Sequence, residues 1–151
     1  MNVRKASLND LKPIVKLENI WIKERISWGL KPTPLNDIKE SLQKEIWYVV
    51  EKEGKIIGYS NAKVILSTRY MTSLDVKKGQ RFGDIKSVYV AKNYRNSGFG
   101  SILIKKCLND LKKEKVRIVR LRAVSKNLLN LIKYYRRFGF RERTANMILK
   151  I

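Results

Sequence analysis

The 151 residues carry 34 Lys and Arg against 13 Asp and Glu, a formal net charge of +21, and no histidine. That absence excludes Ser-His-Asp and Cys-His catalysis and the histidine-based zinc patterns, so any general acid or base must be Asp, Glu, Tyr, Lys, Cys or water. With 44% hydrophobic residues the chain can bury a core as one domain spanning 1–151, and its single cysteine, Cys107, has no disulfide partner within the sequence.

The alternation in Asn2–Ala6 predicts a short strand. Ser7 followed by Asp10 reads as a capping box, and Leu11, Ile14, Val15 and Leu17 recur at helical spacing, so a first helix is expected over about 8–20. Gly29, Pro32 and Pro34 interrupt it. Thr33-Pro34 reads as an N-cap with proline at the first helical position, opening a second helix over about 34–44. An aromatic, β-branched run predicts strand 46–51; Glu53-Gly54 turns the chain into strand 55–66. The polar stretch 67–81 reads as a long loop or a flap, and strand 82–90 follows it.

A helix over about 98–113 comes next, with Ile102, Leu103, Cys107, Leu108 and Leu111 on one stripe. Residues 116–124 alternate apolar side chains with arginines, as a strand with one wet face does. Ser125 or Asn127 can cap a fourth helix, whose apolar face is Leu128, Leu131, Ile132, Tyr135 and Phe138, and Gly139 ends it. Residues 140–151 predict a closing strand. The pattern is a mixed α/β (α+β) domain, a mostly antiparallel sheet flanked by about four helices. No apolar run reaches the roughly 18 residues of a membrane span, and the first residues lack a signal-peptide block, so a cytoplasmic location is expected.

Charge is uneven: residues 1–50 hold 9 Lys and Arg against 6 Asp and Glu, residues 101–151 hold 15 against 3. Such a basic half attracts polyanions, so a nucleic-acid-binding module without catalysis is one reading, although no nucleic-acid motif accompanies the charge.

The other reading starts at Arg95-Asn96-Ser97-Gly98-Phe99-Gly100. A strand, a glycine loop and a helix together expose free N–H groups at the positive end of a helix dipole, which favours an anion. The stretch lacks the lysine of a P-loop and the third glycine of a dinucleotide fingerprint. It does match R-x-x-G-x-G, and "YYRRFGF" follows some 35 residues later. Together these motifs and the element order resemble the GNAT superfamily, the Gcn5-related N-acetyltransferases.

That resemblance implies acetyl-CoA as cofactor, with CoA as product, and an amine acceptor attacked directly in a ternary complex. It implies a pyrophosphate cradle made by Arg95, Asn96, Ser97, Gly98, Phe99, Gly100 and Ser101. Val88, Tyr89 and Val90 match the splayed strand that pairs with the pantetheine arm, with the Val90 N–H as a candidate oxyanion donor. Tyr135 occupies the place of the tyrosine that protonates the departing thiolate, with Tyr134 beside it. The family's cofactor-contacting asparagine stands seven residues before that tyrosine; Asn127 is eight before Tyr135 and seven before Tyr134. Asp84 matches the acidic base of the histone-acetylating branch, and Glu51 is a second candidate. Cys107, at an apolar helix position, reads as a small buried hydrophobe. No metal is implied.

The family's acceptor site implies Trp21, Arg25 and Trp28 on one side and Thr144–Met147 on the other. A protein N-terminus or lysine is the first choice of acceptor and a small-molecule amine the second. The basic surface suits an acidic acceptor. Monomer and homodimer both remain open.

Overall fold

The computed structural model describes residues 2–147 and 149. Among the described residues there are five strands: β1 Asn2–Lys5, β2 Ile46–Lys52, β3 Lys55–Leu66, β4 Arg81–Val90 and β5 Val119–Leu121. The helices are α1 Leu11–Glu24, α2 Leu35–Lys44, α3 Phe99–Lys113 and α4 Leu128–Arg136. The strands form one sheet in the order β1-β2-β3-β4-β5, with β1 to β4 antiparallel and β5 parallel to β4. The mixed, mostly antiparallel sheet with four helices is the architecture read from the sequence.

Both faces of the sheet are buried, by alternate side chains of the same strands. Tyr48, Val50, Ala62 and Ile85 pack with Phe99, Leu103, Cys107 and Leu111 of α3. Trp47, Val49, Tyr59 and Tyr89 pack with Ile14 and Leu17 of α1 and Ile38 of α2. Gly83 permits close approach on the α3 face, because a Cβ there would stand 2.9 Å from a methyl of Leu111.

Several local expectations change. Helix α1 runs to Glu24, preceded by a 3-10 turn at Leu8–Asp10, and the Asp10 carboxylate accepts the Ser7 N–H at 2.8 Å as the capping box requires. Thr33 is not the cap of α2; its hydroxyl donates to Glu18 on α1 at 2.6 Å, and Pro34 takes the cap position. Stretch 67–81 is a pinned loop. Ser67 donates its N–H to the Gln80 carbonyl at 2.9 Å, Gly79 donates to the Ser67 carbonyl at 2.7 Å, and Val76 is buried.

The closing strand expected over 140–151 is absent among the described residues, since 141–147 carry no regular secondary structure. Arg141–Arg143 is charge-dense and exposed, and Glu142 folds back to pair with Arg136 of α4. Strand β5 is also shorter than 116–124, because its pairing with β4 runs only from Gly83 to Ile85.

Candidate active site

Between β4 and α3 the chain makes a 3-10 turn, Lys92–Tyr94, and then the glycine loop. Asn96 and Gly98 both have positive φ, 62° and 82°. Asparagine and glycine are the residues that enter this region most readily. Gly98 is the N-cap of α3 and supplies no side-chain cap, and the first helical bond runs from the Ile102 N–H to the Gly98 carbonyl. The N–H groups of Phe99, Gly100 and Ser101 therefore have no intrahelical acceptor. A Cβ on Gly98 would meet no atom within 4 Å, so the loop surface there is open. Open backbone donors at the positive end of a 15-residue helix suit a phosphate group. Phe99 contributes only backbone, because its ring is buried against the α3 face of the sheet.

Arg95 does not face this opening. Its Nε donates to the Val90 carbonyl at 2.9 Å and its guanidinium pairs with Glu24 at 2.5 Å. The Tyr89 hydroxyl donates to the same Glu24 at 3.1 Å, and Trp21 stacks on the Tyr89 ring at 5.3 Å. The expected phosphate-side charge is thus a brace, tying the loop to the end of α1. Burial and the neighbouring Glu24 carboxylate push the Tyr89 hydroxyl up to about 12. Sequence reasoning passed over Glu24, whose partner lies 71 residues away and leaves no periodic or motif signal.

Strand β4 carries a bulge. Asn61 pairs with Ser87 and the next residue, Ala62, pairs with Ile85, so Lys86 is the extra residue. The Gly83 N–H points to β5, bonding the Ile118 carbonyl, whereas the Ala91 N–H points to β3, bonding the Ile57 carbonyl. By alternation, Tyr89 faces β3 while Val88 and Val90 turn their N–H groups away from it. β5 no longer pairs with β4 beyond Ile85. The bulge therefore turns the Val88 and Val90 N–H groups to the side where β5 no longer pairs, the side on which Arg95 Nε meets the Val90 carbonyl.

Tyr134, not Tyr135, reaches the glycine loop. Its hydroxyl lies 3.3 Å from Ser101 Oγ, and a Cβ on Gly100 would stand 2.9 Å from it. Tyr135 turns its ring edge to Phe140, 6.1 Å between centroids. Successive helix positions differ by about 100°, so only one tyrosine can face the loop. Asn127, the N-cap of α4, is two turns before Tyr134 and shares its face. Burial raises the Tyr134 hydroxyl above its ordinary value, with the Ser101 hydrogen bond opposing the shift. Burial pushes Tyr135 up to about 12.

The other candidates are placed as follows. Asp84 is buried on β4, and its Oδ1 accepts Arg120 Nε at 2.8 Å. Glu51 lies on β2, two strands from β4, and accepts Arg4 Nε at 2.9 Å, which takes it away from the Val88–Val90 backbone. Cys107 is fully buried 3.2 Å from Ser60 Oγ, and burial pushes its thiol up to about 11. Trp28 is 64% exposed with Lys126 over its ring, and the Lys126 N–H donates to the Ile26 carbonyl, so the α1–α2 connection meets the start of α4. Arg25 ends α1 with φ 52°. Thr144–Met147 form no hairpin, so the expected second acceptor wall is not built among the described residues.

Beside Asp84 a cleft of about 320 Å³ opens, lined by Lys63, Lys86, Arg120 and Arg122 with Ile65 and Ile85. Lys63 and Asp84 are register partners, and Lys63 stands four residues from Tyr59 on β3, so the cleft lies on the sheet face shared with α1 and α2.

The model of the Acetyltransferase (GNAT) family matches residues 14–140. The sequence is 24% identical over 146 residues to an N-alpha-acetyltransferase of Sulfurisphaera tokodaii, covering 93% of this chain and 80% of that protein. The structure is similar to an aminoglycoside antibiotic 6'-N-acetyltransferase from Acinetobacter haemolyticus, with TM-score 0.76 at 19% identity over 100% of this chain and 98% of that one. It is also similar to a predicted acetyltransferase with acetyl-CoA from Clostridium acetobutylicum, with TM-score 0.75 at 20% identity over 99% of this chain and 95% of that one. At these identities the two structures show a shared fold.

Proposed function

The chain belongs to the GNAT family of acetyltransferases, and from that premise we propose that it moves an acetyl group from acetyl-CoA to a primary amine of a protein, an N-terminus or a lysine. The observation that carries the reading is the pairing of an uncapped, Cβ-free α3 N-terminus with the Tyr134 hydroxyl on its first turn. Acetyl-CoA supplies an activated thioester carbonyl and a thiol leaving group. The protein supplies placement and proton transfer. The N–H groups of Phe99, Gly100 and Ser101 hold the pyrophosphate, with Asn96 and Gly98 setting the loop's curvature.

The backbone of Val88 and Val90 lines the pantetheine slot, and the Val90 N–H polarises the reacting carbonyl. Tyr134 keeps its proton through neutral pH and gives it to the departing sulfur. Asn127, on the same face, lies along the cofactor. Asp84 already accepts Arg120, so we assign it to holding that arginine and leave removal of the amine proton to water.

A thiol-release assay with acetyl-CoA, a peptide panel and a small-amine panel tests this. Turnover on peptides, together with a melting temperature raised by acetyl-CoA, is the expected result. Absence of both removes the enzyme reading. Faster turnover on small amines than on peptides changes the acceptor class. Asp84→Asn that loses turnover while keeping its melting temperature returns the base role to Asp84.

A further inference from the structure

The cleft on the α1/α2 face contains more positive charge than its own carboxylates neutralise. Asp84 engages Arg120 through Nε alone. Glu45, whose carboxylate is shared with Ser41 and Asn61, pairs with Lys86 at 3.2 Å and with Lys63 at 3.9 Å. Arg122 is exposed and has no ion pair among the described residues. Four cations therefore face two carboxylates, and in a concave recess their fields add.

Its position matters as much as its charge. Lys86 is the bulge residue and Arg122 follows the last paired residue of β5, so both stand where β4 and β5 begin to part. Val90 lies four residues along β4 from Lys86. At about 3.3 Å per residue that is roughly 13 Å. An extended acceptor whose amine sits at Val90 would bring the side chains around its fourth residue to the level of this cleft.

We infer that the Lys63–Lys86–Arg120–Arg122 cleft reads the acceptor downstream of its acetylated amine and selects peptides with Asp or Glu around the fourth residue, an inference that rests on the acyl-transfer reading above. A carboxylate there takes the uncommitted donors of Arg122 and Lys86. A polycationic acceptor meets repulsion at the same place.

The test uses three short peptides, alike except around the fourth residue, where they carry glutamates, glutamines or lysines. Binding is measured by calorimetry with CoA present, and acetylation by mass spectrometry. The glutamate peptide is expected to bind at least about tenfold more tightly than the glutamine peptide, with the lysine peptide weakest and the advantage shrinking as salt rises. The double variant Lys86→Glu/Arg122→Glu is expected to invert the order. Misfolding cannot produce inversion, and both positions are solvent-facing.

Equal binding of the three peptides overturns the inference, as does a glutamate advantage that survives in the double variant. The two readings fail separately. Acetylation of all three peptides at one rate removes the cleft's role and keeps the activity. Charge-ordered binding with no acetylated product removes the activity and keeps the cleft.

Discussion

Helix α3 buries Phe99, Leu103, Ile104, Cys107, Asp110 and Leu111, whereas α4 buries no residue fully. The two helices meet where Tyr134 of α4 touches the first turn of α3 through Ser101 and Gly100. The contrast separates two jobs. The loop that would hold a phosphate is fixed by core packing behind it, so its donors stand ready before any ligand arrives. The tyrosine that would move a proton rides on an element with little burial, and such elements open most easily. Substitutions along α3 should therefore register mainly as stability, and those along α4 mainly as rate.

The largest effect that can break this division is Leu103→Ala. Leu103 is fully buried between α3 and the sheet, and truncation should cost about 2–5 kcal/mol in a urea titration. Leu129→Ala, at a position 73% exposed on α4, should stay within about 0.5 kcal/mol. Similar losses from the two would show that α4 is as firmly anchored as α3.

Tyr134→Phe comes next. Loss of a positioned acid should lower kcat on the order of a hundredfold while leaving the melting temperature nearly unchanged. Tyr135→Phe should lower it far less, since Tyr135 packs on Phe140 instead of the loop. If Tyr135→Phe proves the slower enzyme, the proton comes from the other side of α4 and the comparison must be redrawn.

This pair also shows where the sequence was legible and where it was not. Strands 46–51 and 55–66 and helices two and three were readable to within a residue, because alternation and the 3.6-residue period are imposed by one buried face. The glycine loop was readable because positive φ and an uncapped helix start demand particular residues. Choosing between Tyr134 and Tyr135 depended on helix phase. A helix entry one residue longer rotates every later side chain by about 100°, and capping residues alone locate that entry only to within a residue or two. Arg95 and Asp84 are legible only as residue types at motif positions, and Glu51 only as a carboxylate on the neighbouring hairpin. Their partners Glu24, Arg120 and Arg4 come from other elements, and the pairing exists only once the sheet has assembled. The closing strand does not form among the described residues although β5 ends the sheet with one side unpaired; Arg141–Arg143 are exposed and Glu142 is drawn back to Arg136 of α4, a pairing between elements that no β-like alternation announces.

Gly100→Ala probes the junction itself. The new Cβ would lie 2.9 Å from the Tyr134 hydroxyl, and the flexible end of that side chain must move aside. A displacement of this size should cost about tenfold in kcat. Because the damage acts through Tyr134, Gly100→Ala added to Tyr134→Phe should cost almost nothing more. Strict additivity in that double-mutant cycle would mean that the two residues act independently.

The smallest expected effect distinguishes the helices by pH. Burial raises the Cys107 thiol on α3 to about 11 and the Tyr135 hydroxyl on α4 to about 12. In the unfolded chain these groups titrate at about 8.5 and 10. Each folded value is the higher one, so each group's contribution is fully present below its unfolded pKa and is lost as pH rises through the folded one. Stability should thus fall first between about pH 8.5 and 11 through Cys107, and then above about pH 10 through Tyr135 together with the buried tyrosines of the sheet, Tyr48, Tyr59 and Tyr89, whose hydroxyls are also raised. Cys107→Ala should flatten the earlier limb and Tyr135→Phe should remove only its own share of the later one, each read as a difference from the parent in urea titrations across pH. If α4 detaches locally before the protein unfolds, Tyr135 titrates without opposing global folding. Its share then disappears from the urea data while its absorbance still reports ionisation, and the weak anchoring of α4 would be measured directly.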